Sequence, residues 1–278
     1  MRSDILVNPL ISICVLTYNH ENFIEQGLSN IFSQSIISQC EIIISDDCSQ
    51  DGTVKIIENC LLECPCSVEF IPRKINIGPE KNYSDVIGRA SGRYIAYLDG
   101  DDTWVDDKKL EKQLNLFSVN PKLGLVGTQS SGANREFWKQ QESTEYYSVA
   151  PLDLLSKNVI VNSSVLVNRE VFFWARSELD LVRPGWSKSF KAEDYCTWIM
   201  ISTVYDLCVL SDSCVDITVI PGSLSRPASK EKRNEYLISV YRMKRFFLDY
   251  QKYSLVSPVR TRILFKMGLI IWFHRIFK

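Results

Sequence analysis

The chain has 278 residues, of which 45% are hydrophobic and 23% are charged. This is enough to bury a sizeable core in one α/β domain, or in a domain with an appendage. No stretch reaches the roughly 18 apolar residues of a membrane span, and the apolar run at Ile11 is too short for a signal peptide, so we expect neither. The net charge of −1 is unevenly distributed, because residues 230–278 hold 12 Lys or Arg and three acidic residues, which leaves −10 for residues 1–229.

The first half of the chain alternates strand and helix patterns, the order expected for a mainly parallel sheet covered by helices. Strands are predicted at residues 11–17, 41–45, 68–71 and 94–98. Helices are predicted at residues 23–33, 53–62 and 80–90. Leu110, Leu114 and Phe117 then recur at helical spacing, and an apolar run follows at residues 123–127.

The second half of the chain is less regular. Residues 129–150 are polar and have no clear period, so we expect a surface loop. Strand character returns at residues 159–167, and a helix is predicted to begin near Glu193. A long helix is predicted from about residue 230 to residue 250.

The nine cysteines favour a reduced protein. Cys14 and Cys40, among others, lie inside apolar runs where a small hydrophobic residue fits, so we expect them to be buried thiols. The one tight cluster, at residues 60–66, lacks the second pair or the nearby histidine of a tetrahedral zinc site. His20 and His274 have no Ser, Cys or carboxylate partner at a useful spacing, and we expect no chemical role for them.

Two predicted strands end in aspartates. The carboxyl ends of parallel strands meet at one edge of a sheet, and ligands bind in the crevice beyond that edge. The predicted edge collects Thr17, Tyr18 and Asn19 from the first strand, Asp46 and Asp47 from the second, and Asp99, Asp101 and Asp102 from a later one. We therefore expect one shared ligand site, in which Asp46 caps the turn after its strand.

An Asp-x-Asp at a strand end suits a hard divalent cation, because carboxylate oxygens are the preferred ligands of magnesium and manganese. Such ions complete their coordination shell with substrate phosphates, which indicates a nucleotide-diphosphate site. The chain contains neither GxxxxGK[ST] nor GxGxxG, so the kinase-like and dinucleotide-binding classes are disfavoured.

Five segments resemble, in order, the motifs of the family 2 glycosyltransferases with the GT-A fold. They are ISICVLTYNHENFIEQGLSNIFSQ, EIIISDDCSQDGT, NIGPEKN, SGRYIAYLDGDDTW and AEDY, and they span about residues 10–200. The resemblance implies an α/β fold with a Rossmann-like, mainly parallel sheet flanked by helices. It also implies a catalytic domain over residues 1–228, with a nucleotide-binding half at about 8–127 and an acceptor half at about 128–228. A basic amphipathic helical extension would follow at residues 229–278.

The resemblance also implies a donor site for a UDP-sugar with a Mn²⁺ or Mg²⁺ ion. It places Thr17 and Tyr18 in the nucleoside pocket, Asp47 on the uracil ring, Lys81 on a phosphate, and Asp99, Gly100 and Asp101 at the donor diphosphate and metal. Asp101 is the expected direct metal ligand, whereas Asp99 faces the ribose or a metal-bound water.

In the same way, Asp194 in AEDY matches the family's catalytic base, with Glu193 beside it. The base would take the proton of an acceptor hydroxyl in a single in-line displacement at the anomeric carbon, which inverts its configuration. A retaining reaction would need a second placed nucleophile, and we see no candidate. The alternative for Asp194 is a first-turn aspartate that stabilises its helix without taking part in catalysis.

Trp104, Trp186 and Asp102 are candidates for acceptor binding. The tryptophans could stack on sugar faces, although a buried core tryptophan is the commoner case. Asp102 could instead support the site from behind, or cap the helix that carries Leu110.

The basic tail suits the interface of an anionic membrane, or alternatively a pair of helices that pack on the domain. We expect a cytoplasmic enzyme, peripheral to the inner face of the cell membrane, whose acceptor is a lipid-linked saccharide in surface polysaccharide (O-antigen or capsule) assembly. The acidic body argues against a nucleic-acid partner. The alternative functions are a catalytically silent sugar-nucleotide-binding subunit and a nucleotidyltransferase, and the oligomeric state is left open.

Overall fold

The computed structural model describes residues 9–131, 145–220 and 229–250. Its strands are β1 (Ile11–Thr17), β2 (Cys40–Asp46), β3 (Ser67–Pro72), β4 (Tyr94–Asp99), β5 (Thr103–Trp104), β6 (Leu123–Ser131), β7 (Tyr146–Ser148), β8 (Leu166–Asn168) and β9 (Asp206–Asp216). Its helices are α1 (Ile24–Phe32), α2 (Thr53–Cys60), α3 (Pro79–Arg89), α4 (Lys109–Val119), α5 (Pro151–Ser156), α6 (Arg169–Val182), α7 (Trp186–Ser189), α8 (Glu193–Ser202) and α9 (Lys230–Asp249). Short 3₁₀ turns lie at Ile37–Gln39, Leu61–Glu63 and Asn162–Ser164.

All of these strands join one sheet in the order β3-β2-β1-β4-β8-β6-β9-β5, and β7 also pairs with β9. Strands β1 to β4 run parallel to one another, β8 is antiparallel to β4 and β6, and β6 is parallel to β9. Helices flank the sheet, so the predicted α/β class with a mainly parallel sheet is confirmed.

Strand β1 shows why the central strands read as unbroken apolar runs. Ile11, Ile13 and Val15 point into a hydrophobic cluster on one face of the sheet, and Cys14 points into a second cluster on the other face. A strand covered on both faces buries every side chain, so it has no polar alternation. Strand β3, at the edge of the sheet, instead alternates between exposed and half-buried residues.

The predicted strand at residues 159–167 is wrong for most of its length. Only β8 is a strand there, and the Asn162–Ser164 turn precedes it. Ser163 in this turn has partners that a continuing strand would not reach, since its Oγ donates to Asp102 (2.6 Å) and accepts from the backbone N–H of Asp99 (3.1 Å). The expected loop at 129–150 is shorter than predicted, because β6 and β7 enter it from either end, and residues 132–144 lie outside the described residues.

The predicted helix at 230–250 is present as α9, and it packs on the domain. Ser229 caps its first turn by accepting from the backbone N–H of Lys232 (3.2 Å). Met243, Phe247 and Leu248 are buried in the same cluster as the core of α8. Within the described ranges, no helix combines the length and the apolar character needed to cross a bilayer. Residues 251–278, the rest of the predicted tail, lie outside the described residues.

The first residue of α4 is a buried lysine. Lys109 is fully buried, its Nζ donates to Gln113 Oε1 (3.0 Å), and the same Nζ lies 4.1 Å from the centre of the Trp104 ring. Gln113 Nε2 in turn donates to the backbone carbonyls of Val126 (2.7 Å) and Ser164 (2.9 Å). Burial lowers the pKa of Lys109 to about 7, against a smaller opposing attraction from acidic neighbours.

We expect the stability of the wild-type protein, relative to a Lys109→Met variant, to rise as the pH is raised from about 7 to about 10.5. In this window the unfolded chain holds the lysine proton and the folded chain does not, so folding releases a proton and is favoured at high pH. Urea denaturation of both proteins across this range measures the difference.

The matched control is Lys108→Met, which removes an exposed lysine from the preceding position. Its free energy of unfolding should track that of the wild-type protein at every pH. A difference between wild type and Lys109→Met that stays constant with pH would contradict a neutral, buried lysine.

Candidate active site

The register of the sheet brings the predicted site residues to one edge. Leu16 pairs with Asp99, and Thr17 pairs with Asp46, so the carboxyl ends of β1, β2 and β4 lie side by side. The loops beyond these ends are tied to one another as well. Asn19 N donates to Ser49 Oγ (2.8 Å), which joins the loop after β1 to the loop after β2.

The backbone of these two loops is held in an unusual conformation. Asn19 and Cys48 adopt left-handed conformations, with φ of 57° and 70°. Such residues cost free energy and concentrate at binding and catalytic sites. Tyr18, next to Asn19, projects a side chain that is 44% exposed, which leaves its ring free to contact a ligand.

Asp46 and Asp47 have different tasks. Asp46 is buried, and its carboxylate accepts from both the backbone N–H and the hydroxyl of Ser49, which agrees with a turn-capping role. The two carboxylate oxygens of Asp47 accept from the backbone N–H groups of Ile77 (2.8 Å) and Gly78 (2.9 Å). Asp47 therefore also fixes the loop before α3, a role that the sequence pattern did not indicate.

Lys81 lies in the first turn of α3 and is exposed. Because Asp47 binds the residue just before this helix, the helix N-terminus and Lys81 are brought towards the carboxyl edge. Both the lysine charge and the N-terminal end of a helix favour an anion.

The Asp-x-Asp turn is pressed against β1. Gly100 N donates to Leu16 O (2.7 Å). A Cβ at position 100 would lie 2.8 Å from His20 Nδ1 and 3.0 Å from both Leu16 O and Thr17 Cβ. This close approach requires glycine between the two aspartates.

Asp102 supports this turn from behind. It is buried, and its carboxylate accepts from Ser163 Oγ (2.6 Å) and from the backbone N–H of Thr218 (3.1 Å). Helix α4 starts at Lys109, so Asp102 does not cap it, and that alternative is wrong.

Asp99 lies near three other carboxylates at this edge of the sheet. Burial raises the pKa of Asp99 to about 8, with further contributions from the carboxylates of Asp102, Asp101 and Asp194. A hydrogen bond from the side chain of Asn162 acts in the opposite direction. The side chains of Asp99 and Asp101 are both half-buried.

These carboxylates suit a divalent cation. Their mutual repulsion is the kind that a hard cation relieves, and oxygen donors are what magnesium and manganese prefer. Thr17 Oγ1 and His20 Nδ1 are buried at the same turn without a hydrogen-bond partner. No three His, Cys, Asp or Glu side chains surround a common point in the described part of the chain. A magnesium-like ion needs only one or two of them, because phosphates and waters complete its shell.

His20 lies closer to the aspartates of the edge than its position in the sequence suggested. We expected no carboxylate partner for it, but the carboxylates of Asp101, Asp51 and Asp46 all raise the pKa of His20. Burial outweighs them and leaves that pKa below its ordinary value, so the imidazole is favoured in its neutral form. These carboxylates come from the ends of two strands, β2 and β4, and the loops that follow them, and this proximity has no signal in sequence spacing.

Asp194 lies in the first turn of α8, and its carboxyl group faces the same edge. Burial raises the pKa of Asp194, and backbone hydrogen bonds from the helix N-terminus partly offset the change. The carboxylate of Asp194 raises the pKa of Asp99, so the two groups are close enough to interact although 95 positions separate them in the sequence. The residue at the N-cap is Ala192, which has no capping side chain.

Glu193 turns towards a different partner. Its Oε2 accepts from Arg176 Nη2 on α6 (3.3 Å), and the Arg176 guanidinium lies 5.0 Å from the centre of the Trp186 ring. Burial raises the pKa of Glu193 to about 7, and Arg176 opposes this. Arg176 thereby joins α6, α7 and α8 behind the site, and no sequence motif singled it out.

The tryptophans proposed for acceptor stacking are both covered. Trp104 and Trp186 are each 1% exposed, and Trp104 Nε1 donates to Ser163 O (2.8 Å). The alternative of buried core tryptophans describes their placement. Neither ring presents a face to a sugar in this structure.

Comparison with known proteins finds matches to glycosyltransferases. The family model described as Glycosyl transferase family 2 matches residues 12–175. An uncharacterized glycosyltransferase of Haemophilus influenzae is 30% identical over 235 residues, which cover 84% of this chain and 88% of that protein. The GalNAc(5)-diNAcBac-PP-undecaprenol beta-1,3-glucosyltransferase of Campylobacter jejuni is 31% identical over 94 residues, which cover 34% of this chain and 30% of that protein.

Other relatives are longer than the matched region. An uncharacterized protein of Mycobacterium bovis is 31% identical over 169 residues, which cover 57% of this chain and 47% of that protein. The chain thus spans about half the length of this relative.

Two solved structures share the fold. A mannosyltransferase of Pyrobaculum calidifontis in complex with GDP-Man and Mn²⁺ has a TM-score of 0.67 and 19% identity, over 95% of this chain and 70% of that chain. A fragment of S. aureus TarS in complex with UDP has a TM-score of 0.60 and 20% identity, over 86% of this chain and 65% of that chain.

We expect Gly100→Ala to abolish measurable UDP binding or to weaken it at least about tenfold, because the new Cβ displaces either His20 or the strand end that carries Thr17. Isothermal titration with UDP and Mn²⁺ measures the loss. The matched control is Gly88→Ala on α3, where a Cβ meets nothing within 4 Å. The control should bind UDP as the wild-type protein does and be slightly more stable, by up to about 1 kcal/mol. Equal binding by Gly100→Ala would show that the turn tolerates a side chain.

Proposed function

Since the chain belongs to glycosyl transferase family 2 and has the GT-A fold, we propose that it transfers a sugar from a UDP-sugar to a saccharide acceptor with inversion at the anomeric carbon. The observation that carries this proposal is the approach of Asp194 on α8 to the Asp99 turn at the end of β4. A general base thereby faces the site at which the donor diphosphate is expected to bind.

Asp194 takes the proton from the acceptor hydroxyl as that oxygen attacks. A carboxylate with a raised pKa is a stronger base than an exposed one, and burial of Asp194 raises its pKa. Glu193 is paired with Arg176, so its part is to hold the start of α8 while Asp194 reacts. With Glu193 held in this way, Asp194 acts alone, which supports a single displacement.

The donor lies across the carboxyl edge. Tyr18 packs on the nucleoside, Asp47 accepts from the uracil ring, and Lys81 with the α3 N-terminus attracts a phosphate. Each Asp47 oxygen accepts one backbone hydrogen bond and keeps a lone pair for the base. Asp101 and Asp99 would hold Mn²⁺ or Mg²⁺, and such an ion would supply positive charge against the negative charge that grows on the departing diphosphate.

The acceptor is a saccharide on a lipid diphosphate, and the chain works in surface polysaccharide assembly at the inner face of the membrane. The undecaprenol-linked substrate in the name of the Campylobacter jejuni relative supports this. Residues 251–278 add a second argument, because they hold six Lys or Arg and no acidic residue. Each basic residue near an anionic membrane surface contributes about 1 kcal/mol of attraction.

We expect release of nucleoside diphosphate from one donor in a panel of UDP-, GDP- and dTDP-sugars, and its loss with EDTA, with Asp101→Ala and with Asp194→Asn. The panel is run with octyl glycosides as acceptors, and UDP binding is measured in parallel. Asp194→Asn should still bind UDP, because it removes the base and leaves the donor site unchanged. The control Asp153→Asn changes an aspartate in the first turn of α5 and should leave transfer unchanged.

If UDP binds but no donor is turned over, even with a polyprenyl diphosphate saccharide present, the chain is a sugar-nucleotide-binding subunit. Turnover that survives Asp194→Asn would contradict the assigned base.

We also expect the full chain to sediment with vesicles that contain an anionic phospholipid, and to be released by high salt. The triple variant Arg260→Gln, Arg262→Gln, Lys266→Gln should bind these vesicles roughly 100-fold more weakly, because three basic residues contribute about 3 kcal/mol. The matched control changes Lys230, Lys232 and Arg233 to Gln at the exposed start of α9. Equal binding by wild type and by the 260–266 variant would contradict membrane attachment through this segment.

A further inference from the structure

Helix α9 is hydrogen-bonded to residues 189–191, the segment that precedes α8 and the proposed base Asp194. Ser239 Oγ accepts from Lys191 N (2.8 Å) and donates to Ser189 O (3.2 Å). Lys191 Nζ also forms an ion pair with Glu235 (3.0 Å). Residues 189–191 therefore run alongside the first half of α9, and Asp194 follows them within one helical turn.

Tyr236 lies on the side of α9 that faces this segment. It is three positions before Ser239 and seven before the buried Met243, so all three share one face of the helix. Its ring packs against the hydrophobic cluster that contains Ala192 and Tyr195, on either side of the catalytic position. Tyr236 nevertheless remains partly exposed, so one side of its ring stays accessible to solvent.

The carboxylate of Asp194 also interacts electrostatically with Tyr236. Burial raises the pKa of Tyr236, and the carboxylate of Asp194 is the other contributor to that shift. Tyr241, five positions further along the same helix, has a pKa that burial alone raises. Both half-buried tyrosines pack against the same hydrophobic cluster, and of the two only Tyr236 has a pKa that also responds to Asp194.

We propose that Tyr236 forms part of the acceptor subsite, where it binds the sugar ring whose hydroxyl is presented to Asp194. This inference rests on the proposed function. The acceptor oxygen must come within hydrogen-bond reach of Asp194, so a half-exposed side chain beside that carboxylate contacts the attacking sugar. A tyrosine offers an apolar ring for the C–H face of a pyranose and a hydroxyl for one of its oxygens. Trp104 and Trp186 are buried and do not offer such a surface.

The proposal also assigns α9 to the active site. In the sequence, this helix belongs to the basic tail, whereas the hydrogen bonds of Ser239 place its first half against the catalytic segment. The chemical class of ligand is a saccharide, since a tyrosine offers stacking and a hydrogen bond.

The test compares Tyr236→Phe, Tyr236→Ala and the matched control Tyr241→Ala in two reactions. One reaction is transfer to the octyl glycoside that the wild-type protein uses best, and the other is hydrolysis of the same donor by water. Tyr236→Ala should raise KM for the glycoside at least about tenfold, which corresponds to about 1.4 kcal/mol. Donor hydrolysis and UDP affinity should stay within about twofold of wild type, because neither uses the acceptor subsite. Tyr236→Phe should show a smaller rise in KM, and Tyr241→Ala should show none.

A loss of kcat, donor hydrolysis and UDP affinity together, with KM unchanged, would mean that Tyr236 only holds α8 in place, and would overturn the proposal. So would Tyr236 variants that match Tyr241→Ala in KM. If Tyr236→Ala does not fold, the Tyr236→Phe variant decides, because it keeps the ring and loses only the hydroxyl. A wild-type protein that transfers to no acceptor and hydrolyses no donor would instead refute the proposed function.

Discussion

The crowding of carboxyl groups at one edge of the sheet is the constraint to which the rest of the site responds. Strand register alone sets it, because pairing Leu16 with Asp99 aligns the end of β4 with the end of β1. Burial makes the largest contribution to the raised pKa of Asp99, and the carboxylates of Asp102, Asp101 and Asp194 raise it further, because each disfavours the ionisation of its neighbour. The turn is held in place by the backbone bond from Gly100 N to Leu16 O and by the bonds that the Asp102 carboxylate accepts from Ser163 and Thr218.

Around the edge, other single side chains also hold more than one part of the structure together. Asp47 organises the loop before α3 with the carboxylate that is also proposed to bind the nucleobase, so donor recognition and loop order depend on one side chain. Behind Asp194, Arg176 compensates the charge of Glu193 and packs over Trp186, which holds three helices in a fixed relation. If the proposed donor and acceptor sites are correct, the fixed backbone at the edge and the Arg176–Glu193 ion pair position charges before substrate binds, as electrostatic catalysis requires.

The sequence predicted the parts of this arrangement that are local. Strands β1, β2 and β4 are buried on both faces and therefore read as apolar runs, and their polar ends mark the edge. Strand β9 was not predicted, because Ser211, Asp212 and Ser213 interrupt its pattern, and the polar Asn162–Ser164 turn was mistaken for strand. Contacts between segments far apart in the sequence could not be predicted, because they produce no periodic pattern in it. The approach of His20 to Asp101, the pairing of Arg176 with Glu193 and the packing of α9 each join positions that only the fold brings together.

The hydrogen bonds between Ser239 and residues 189 and 191 also affect the order in which parts of the protein fold during synthesis. Translation delivers β1 to β4 first and α8 next, and the helix that secures the start of α8 emerges from the ribosome afterwards. Until then, the backbone N–H of Lys191 and the carbonyl of Ser189 lack their partner on α9. A nascent chain can therefore form the carboxyl edge of the sheet before α9 secures the segment that precedes Asp194, the proposed base.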